Sequence, residues 1–484
     1  MIVAGNIYAY GVWSESMAAQ WPDKHNSQSK TSSLYEIALI GNYLPFAGFF
    51  YHRFGARSSI IAGAAMNLMS YLIIYFQFFV NEEQGMNPDW LTYVAFFFVG
   101  HSTGYVDSAV VGTNLNNFQM KDRGAAMGLL KGYFGLAASI VAVVHGTGIS
   151  SSSFFLFYLA LLHTAILMSL CWFIIVVDDQ VISSKVSKLK LDAALLVEIL
   201  IALLLFGYSL VGQSGHFVSV VVLVSVSILF GSTCSLFLIK DSFWFRGFSR
   251  LPSDDLIQLD DDATHFGSES LTLKQACTSL SMQVFFAMLF IIMGAGLFLV
   301  SNIAKIMKSK EETDYTSTLV SLFSVSNCFG RLAVGFISDL NFFSSRSLFR
   351  PAFLSLALVL MGAAHAAFAV SSSPYATMLA GVVGGFAYGA SWTSSPAIVA
   401  DICGMGHFGQ VYGLVGLAPT FGSLLFSNVL ASIVYESHAG DDDSCVGNQC
   451  FGAAHWITSG MCCFGAFVLG PILIGCTKRL YQVS

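Results

Sequence analysis

A chain of 484 residues with 55% hydrophobic and only 10% charged residues, and a mean hydropathy of +0.70, lies outside the range of ordinary soluble domains. The net charge of −6 and the scatter of basic residues among loops argue against nucleic-acid binding. The sequence has no metal-ligand cluster, nucleophile elbow or phosphate loop, so neither an enzyme, a metal, a cofactor nor an ATP-driven pump is expected. Crossing ~30 Å of hydrocarbon takes about 20 apolar residues. Such runs predict spans near 1–19, 33–52, 57–80, 90–115, 124–147 and 152–177, and two more near 191–212 and 215–239. After a polar stretch follow 282–304, 315–338, 348–370, 376–400, 408–434 and 455–476, fourteen in all. Each is expected to be helical, because a strand edge in lipid would leave backbone groups unpaired and the runs are too long and too uniformly apolar for barrel strands.

The opening "MIVAGNIYAYGVWSES" starts inside an apolar run without a basic region or small-residue cleavage site, so it reads as a first span and not as a signal peptide. Orientation follows from charge. Loops after even-numbered spans hold fifteen Lys and Arg residues, among them Arg53, Arg57, Lys121, Arg123, Arg346 and Arg350, against five on the opposite side. The positive-inside rule therefore places the even loops and both termini in the cytosol, in the plasma membrane or an organelle membrane. Of ten cysteines, Cys445 and Cys450 fall in the non-cytosolic loop "DDDSCVGNQC", where a disulfide is permitted.

Six spans precede residue 178 and six follow residue 281. The expected organisation is a bundle over 1–177, an extra two-helix hairpin with an acidic cytosolic linker over 178–281, and a second bundle over 282–484, an all-α integral membrane architecture of duplicated transporter type. The linker holds Asp254, Asp255 and Asp260 to Asp262, and reads either as a flexible connector or as a regulatory segment. One device recurs. "GFFYHRFGAR" at 48–57 has Gly48 and His52 at G-x-x-x-H spacing followed by Arg53, and "GFISD" puts Gly335 and Asp339 at that spacing at the corresponding point of the second half. Glycine there lets helices approach, and charge there sets orientation and can hold the cytosolic side closed.

These residues resemble the major facilitator superfamily signature G-x-x-x-D-R-x-G-R, with Gly48, Arg53, Gly55 and a displaced Arg57, His52 replacing the usual Asp, and Asp339 keeping it in the second copy. Longer stretches, "GNIYAYGVWS", "NFQMKDRGAAMGLLKGYFGLAASI", "NCFGRLAVGFISD" and "DICGMGHFGQVYGL", are similar to the nodulin-like branch. That resemblance implies two six-helix bundles with an extra helix pair between them and a transporter without a named cargo. A looser similarity runs to monocarboxylate and oxalate transporters. Where the former carry D-x-x-x-R, this chain has Asn327 and Arg331, which implies an Arg that holds a carboxylate and an Asn that removes one proton acceptor.

Ionisable residues inside spans mark functional sites by default. Arg331 and Asn327, one turn apart, can present a fork and an amide to one anion, or form a contact at the bundle interface. Lys131 and Asp107 lie at similar depth on adjacent spans, either as a structural salt bridge or as a switch that opens on occupancy. His101, near mid-membrane, is either a hydrogen-bonded neutral ring or a proton relay. Asn6 and Tyr10 share a helix face and can line a cavity. Glu15 and Glu36 are expected in solvent near outer helix ends, and Asp401 at a cytosolic helix end as a gate element. The sequence thus predicts an alternating-access carrier of a small organic anion such as a monocarboxylate, by symport or facilitated diffusion, with protons as candidate co-substrate and the lipid bilayer as its surroundings. The rivals are a carrier of a neutral or zwitterionic solute such as an amino acid, with Asp107 receiving the ammonium, and a membrane sensor that binds without translocating.

Overall fold

In the computed structural model the described residues are 1–10, 17, 21, 27–80, 88–118, 122–146, 152–174, 184–211, 215–238, 271–338, 349–439 and 445–481. They are almost wholly helical. A short 3-10 helix over Ala4–Ala9 is followed by α1 (Ser27–Tyr43), α2 (Phe46–Tyr75), α3 (Trp90–Asn117), α4 (Arg123–Gly146) and α5 (Ser152–Leu170). Next come α6 (Ser184–Val211) and α7 (Gly215–Leu238). The second half holds α8 (Leu280–Ser309), α9 (Thr316–Ile337), α10 (Phe349–Val370), α11 (Pro374–Cys403), and the long helical segments α12 (Phe408–Glu436) and α13 (Gln449–Lys478).

Among the described residues nine helices are long and apolar enough to cross a membrane. Helix α11 falls outside that set although it lies on an expected span, because its Gly, Ser and Thr residues, nearly all buried, face protein and need not be apolar. Side chains on the outside are the reverse: Phe217, Val221, Val224 and Ile228 of α7 are exposed, as lipid-facing residues must be.

The second expected span is in two pieces. Helix α1 stops at Tyr43, Pro45 stands at the cap of α2, and α2 then runs through the expected loop, broken only at Gly55, whose φ of 78° is a left-handed conformation that favours glycine. The turn between the second and third spans is therefore one residue wide. Caps define other ends: Asp89 accepts from Thr92 N–H at 2.9 Å to start α3, and Lys310 donates to the Phe368 and Ser371 carbonyls at the end of α10.

Helices α2, α3 and α5 pack together with α1, and α8, α10, α11 and α13 pack with α9 and α12. The two groups meet along two seams, α4 against α9 and α2 against α12. Both seams are glycine contacts on the face that carries the basic loops. A Cβ on Gly335 would lie 2.6 Å from the Gly124 carbonyl oxygen and 2.7 Å from Gly128 Cα, and one on Gly48 would lie 2.9 Å from Gly413 Cα. The repeated glycine spacing thus brings backbones together in both seams. Helix α6 lies over the first seam and touches both α4 and α9.

This geometry predicts that Gly335→Leu opens the basic-loop face. Overpacking costs about 1–3 kcal/mol in the arrangement seen here, which is roughly 5- to 150-fold in the closed-to-open ratio. A cysteine introduced at Ser395, beside the central cavity, should be alkylated correspondingly faster in the leucine background; an unchanged rate would show that the seam does not govern access.

Candidate functional site

Between the two seams lies a cavity of about 50 Å³, lined from both halves by Asp107, Lys131 and Phe134 on one side and Arg331, Trp392 and Tyr412 on the other. Space of that size holds only a few waters. A larger molecule fits there only if the halves separate.

Lys131 is 2% exposed. Its Nζ donates to Asp107 Oδ1 at 2.6 Å and Oδ2 at 2.8 Å, and to the Tyr412 hydroxyl at 3.1 Å. Tyr412 in turn donates to Asp107 Oδ2 at 3.1 Å. Aromatic faces surround the ammonium: Phe134, Trp392 and Tyr412 have ring centres 5.4, 5.5 and 5.8 Å away. The charge pair is therefore a bridge between halves, with Tyr412 on α12 as its second anchor.

Arg331, 1% exposed on α9, reaches the same cavity. Its Nε donates to Asn327 Oδ1 at 2.8 Å and its Nη1 to the Lys131 carbonyl oxygen, while the guanidinium sits 5.6 Å from the Phe134 ring centre. Among the described residues Nη2 has no hydrogen-bond partner, and neither has Trp392 Nε1. Asn327 thus positions the guanidinium through one nitrogen and leaves another available. A cavity wall with one compensated ammonium and one guanidinium that has no ion pair among the described residues carries net positive charge and suits an anion.

Other expected site residues lie elsewhere. His101 has Nδ1 2.8 Å from the Gly41 carbonyl oxygen and does not line the cavity. Tyr10 donates to the Thr31 carbonyl at 3.1 Å and stacks on Tyr35; it too is absent from the lining. The side chain of Asn6 lies outside the described residues, as do Asp339 and Glu15. Of the gating residues, His52, Gly55 and Arg57 line a separate cleft of about 600 Å³ on the basic-loop face together with Met405, Gly406 and Gly409. His52 meets His407 of the second half at 5.3 Å between ring centres. Arg57 lies over Trp172, and Arg53 is exposed. Asp401 accepts Arg350 Nη1 at 2.6 and 2.7 Å, an ion pair within the second half, with Arg123 of the first half in electrostatic reach.

Glu36 corrects the expectation of a solvated outer carboxylate. It is buried, and Ser423 Oγ of α12 donates to it at 3.1 Å, because α12 covers that end of α1. It ties the halves together on the face opposite the basic loops. Cys445 and Cys450 are joined by a disulfide on that face. The sequence reading also passed over Tyr412, Trp392 and Phe134, and over Glu198 in "LDAALLVEILIALLLFG", a carboxylate in an apolar run that carries the same signal as Lys131.

Comparison with known proteins adds the lineage. The family model described as Nodulin-like matches residues 1–237, and that described as Major Facilitator Superfamily matches residues 276–480. The chain belongs to the nodulin-like branch of the major facilitator superfamily. Among curated relatives, "Probable transporter MCH1" of Yarrowia lipolytica is 28% identical over 213 residues, 41% of this chain and 43% of that protein. The protein of the same name from Gibberella zeae is 26% identical over 211 residues, 35% of this chain and 37% of its own. The match therefore spans less than half of each relative's length. Among solved structures, the proton:xylose symporter XylE bound to 6-bromo-6-deoxy-D-glucose superposes with a TM-score of 0.57 at 13% identity, covering 98% of this chain and 94% of XylE. The human organic anion transporter MFSD10 (TETRAN) gives 0.53 at 13% identity, covering 96% and 89%. At that identity the likeness concerns the fold.

Proposed function

We propose that this facilitator-fold protein is a secondary transporter that carries a small organic anion, such as a monocarboxylate, by alternating access. The observation that carries this reading is Arg331: a guanidinium buried at the cavity between the halves, oriented by Asn327, with Nη2 unpartnered among the described residues. The carboxylate of the cargo takes Nη2, and the indole N–H of Trp392 adds a second donor. Lys131, held by Asp107 and Tyr412, responds to that negative charge and loosens its bridge to α12. The glycine seams, the cleft around His52 and the Asp401–Arg350 pair close the basic-loop face, which faces the cytosol together with both termini. The units that move are the bundles 1–177 and 282–484, with the segment 178–281 between them.

A zwitterionic cargo needs a carboxylate free to receive an ammonium, and both Asp107 oxygens already accept from Lys131. The test is uptake of labelled pyruvate, oxalate and alanine into sealed proteoliposomes. Saturable uptake of a carboxylate that competing carboxylates suppress is the expected result. Saturable alanine uptake that pyruvate does not affect would sink the anion reading, and binding without uptake of any of them would make the protein a sensor.

A further inference from the structure

Helix α6 of the extra hairpin buries one carboxylate against the α4–α9 seam. Glu198 is 0% exposed, and among the described residues neither carboxylate oxygen has a hydrogen-bond partner. Its place is made by a glycine: a Cβ at Gly132 of α4 would collide with the Glu198 carboxylate. Gly132 follows Lys131, whose carbonyl oxygen holds Arg331 Nη1, so the carboxylate lies behind the cavity wall and within electrostatic reach of Arg331. The other titratable groups facing it are Cys328 from α9 and Tyr133 from α4. Tyr133 is engaged with Thr233 of α7 at 3.1 Å, and α7 brings Cys234 toward Tyr133. Arg331 is the cation among these groups.

An ionised carboxylate without a donor, sealed from water, carries a far larger desolvation penalty than the neutral acid. Two unsatisfied carboxylate oxygens favour the neutral acid over the ionised one, and the unsatisfied Nη2 of Arg331 in the same seam leaves one guanidinium nitrogen open to an anion. We infer that Glu198 is a proton-binding carboxylate, supplied by the extra hairpin, whose charge competes with the cargo's for Arg331. Ionised Glu198 cancels the guanidinium's field and discourages cargo. When the halves separate, water enters the seam and delivers a proton that forms an O–H bond at Glu198, and the Arg331 charge is released to the incoming carboxylate. On the other side the cargo leaves, the O–H bond breaks, and the proton returns to water. One proton and one monoanion cross together with no net charge. Linkage makes the effect reciprocal, so protonation tightens anion binding by roughly 5- to 150-fold.

This inference rests on the anion reading of Arg331, and its test separates the two. Full-length protein and the Glu198→Gln variant in proteoliposomes are compared by infrared difference spectroscopy between acidic and alkaline pH, which needs no cargo. The expected result is a protonated-carboxyl band at neutral pH that Glu198→Gln lacks; a band unchanged by the substitution overturns the proposal. In parallel, labelled pyruvate uptake is measured with and without an inward proton gradient. The ratio of the two should exceed unity in the unaltered protein and in Glu198→Asp, and fall to unity in Glu198→Gln. A ratio that survives in Glu198→Gln overturns the coupling. If the unaltered protein takes up no pyruvate at all, the monocarboxylate reading fails, and the spectrum still decides whether Glu198 holds the proton.

Discussion

Arg331→Ala should abolish saturable uptake of small carboxylates, with kcat/KM falling by ~30-fold or more. Truncating one partner of a buried, hydrogen-bonded charge pair costs about 2–5 kcal/mol, and each 1.4 kcal/mol is about tenfold. Arg331→Lys should not rescue it. The guanidinium is held at two points, Nε on Asn327 Oδ1 at 2.8 Å and Nη1 on the Lys131 carbonyl, which leaves Nη2 to bind. An ammonium has no planar fork to divide in that way, so it would satisfy the protein or the cargo but not both. Initial rates over a range of pyruvate concentrations, alongside thermal unfolding of the same preparations, check this. Arg331→Ala with ordinary rates, or with rates reduced only in proportion to the folded fraction, would remove Arg331 from the binding site.

Asp107→Ala should be the most destabilising single change in the cavity. It leaves the Lys131 ammonium buried with one hydroxyl partner, Tyr412, and three aromatic faces. Breaking a buried pair from one side costs about 3–5 kcal/mol, whereas replacing both charges by neutral groups of similar volume is often close to neutral. Asp107→Asn combined with Lys131→Met should therefore regain stability that each single change forfeits. Transport should not return, because the ammonium that ties Tyr412 of one half to Asp107 of the other is gone. Unfolding midpoints of the two single variants and the double variant form the cycle. Additive effects would mean that the pair contributes nothing as a pair.

Individual residues show why some of this is legible in the sequence and some is not. Arg331, Lys131 and Asp107 stand out because charge in an apolar run has few uses, and Asn327 because it lies one turn from Arg331. The aromatic walls do not: with 43 Phe, 18 Tyr and 7 Trp in the chain, nothing local separates Phe134 or Trp392 from lipid-facing residues such as Phe217. Only the meeting of α4 with α11, and of Lys131 on α4 with Tyr412 on α12, selects them. Glu36 misleads for the same reason, since whether a helix end is wet depends on what covers it, here α12. Tyr10 and His101 carry plausible chemistry, but their nearest acceptors are the carbonyls of Thr31 and Gly41 in their own half.

The sequence by itself determined that the chain is a bundle of membrane helices, where most of them run, which face carries the basic loops, and which glycines recur in both halves. Those properties follow from lipid, which demands internally bonded backbones and apolar surfaces and so writes itself into every span. Tertiary structure decided which charges meet, that Tyr412 joins the Lys131–Asp107 pair across the seam, and that the extra hairpin sets Glu198 behind Arg331. These depend on packing between helices far apart in sequence, where the need to compensate buried charge chooses partners that no local pattern can name.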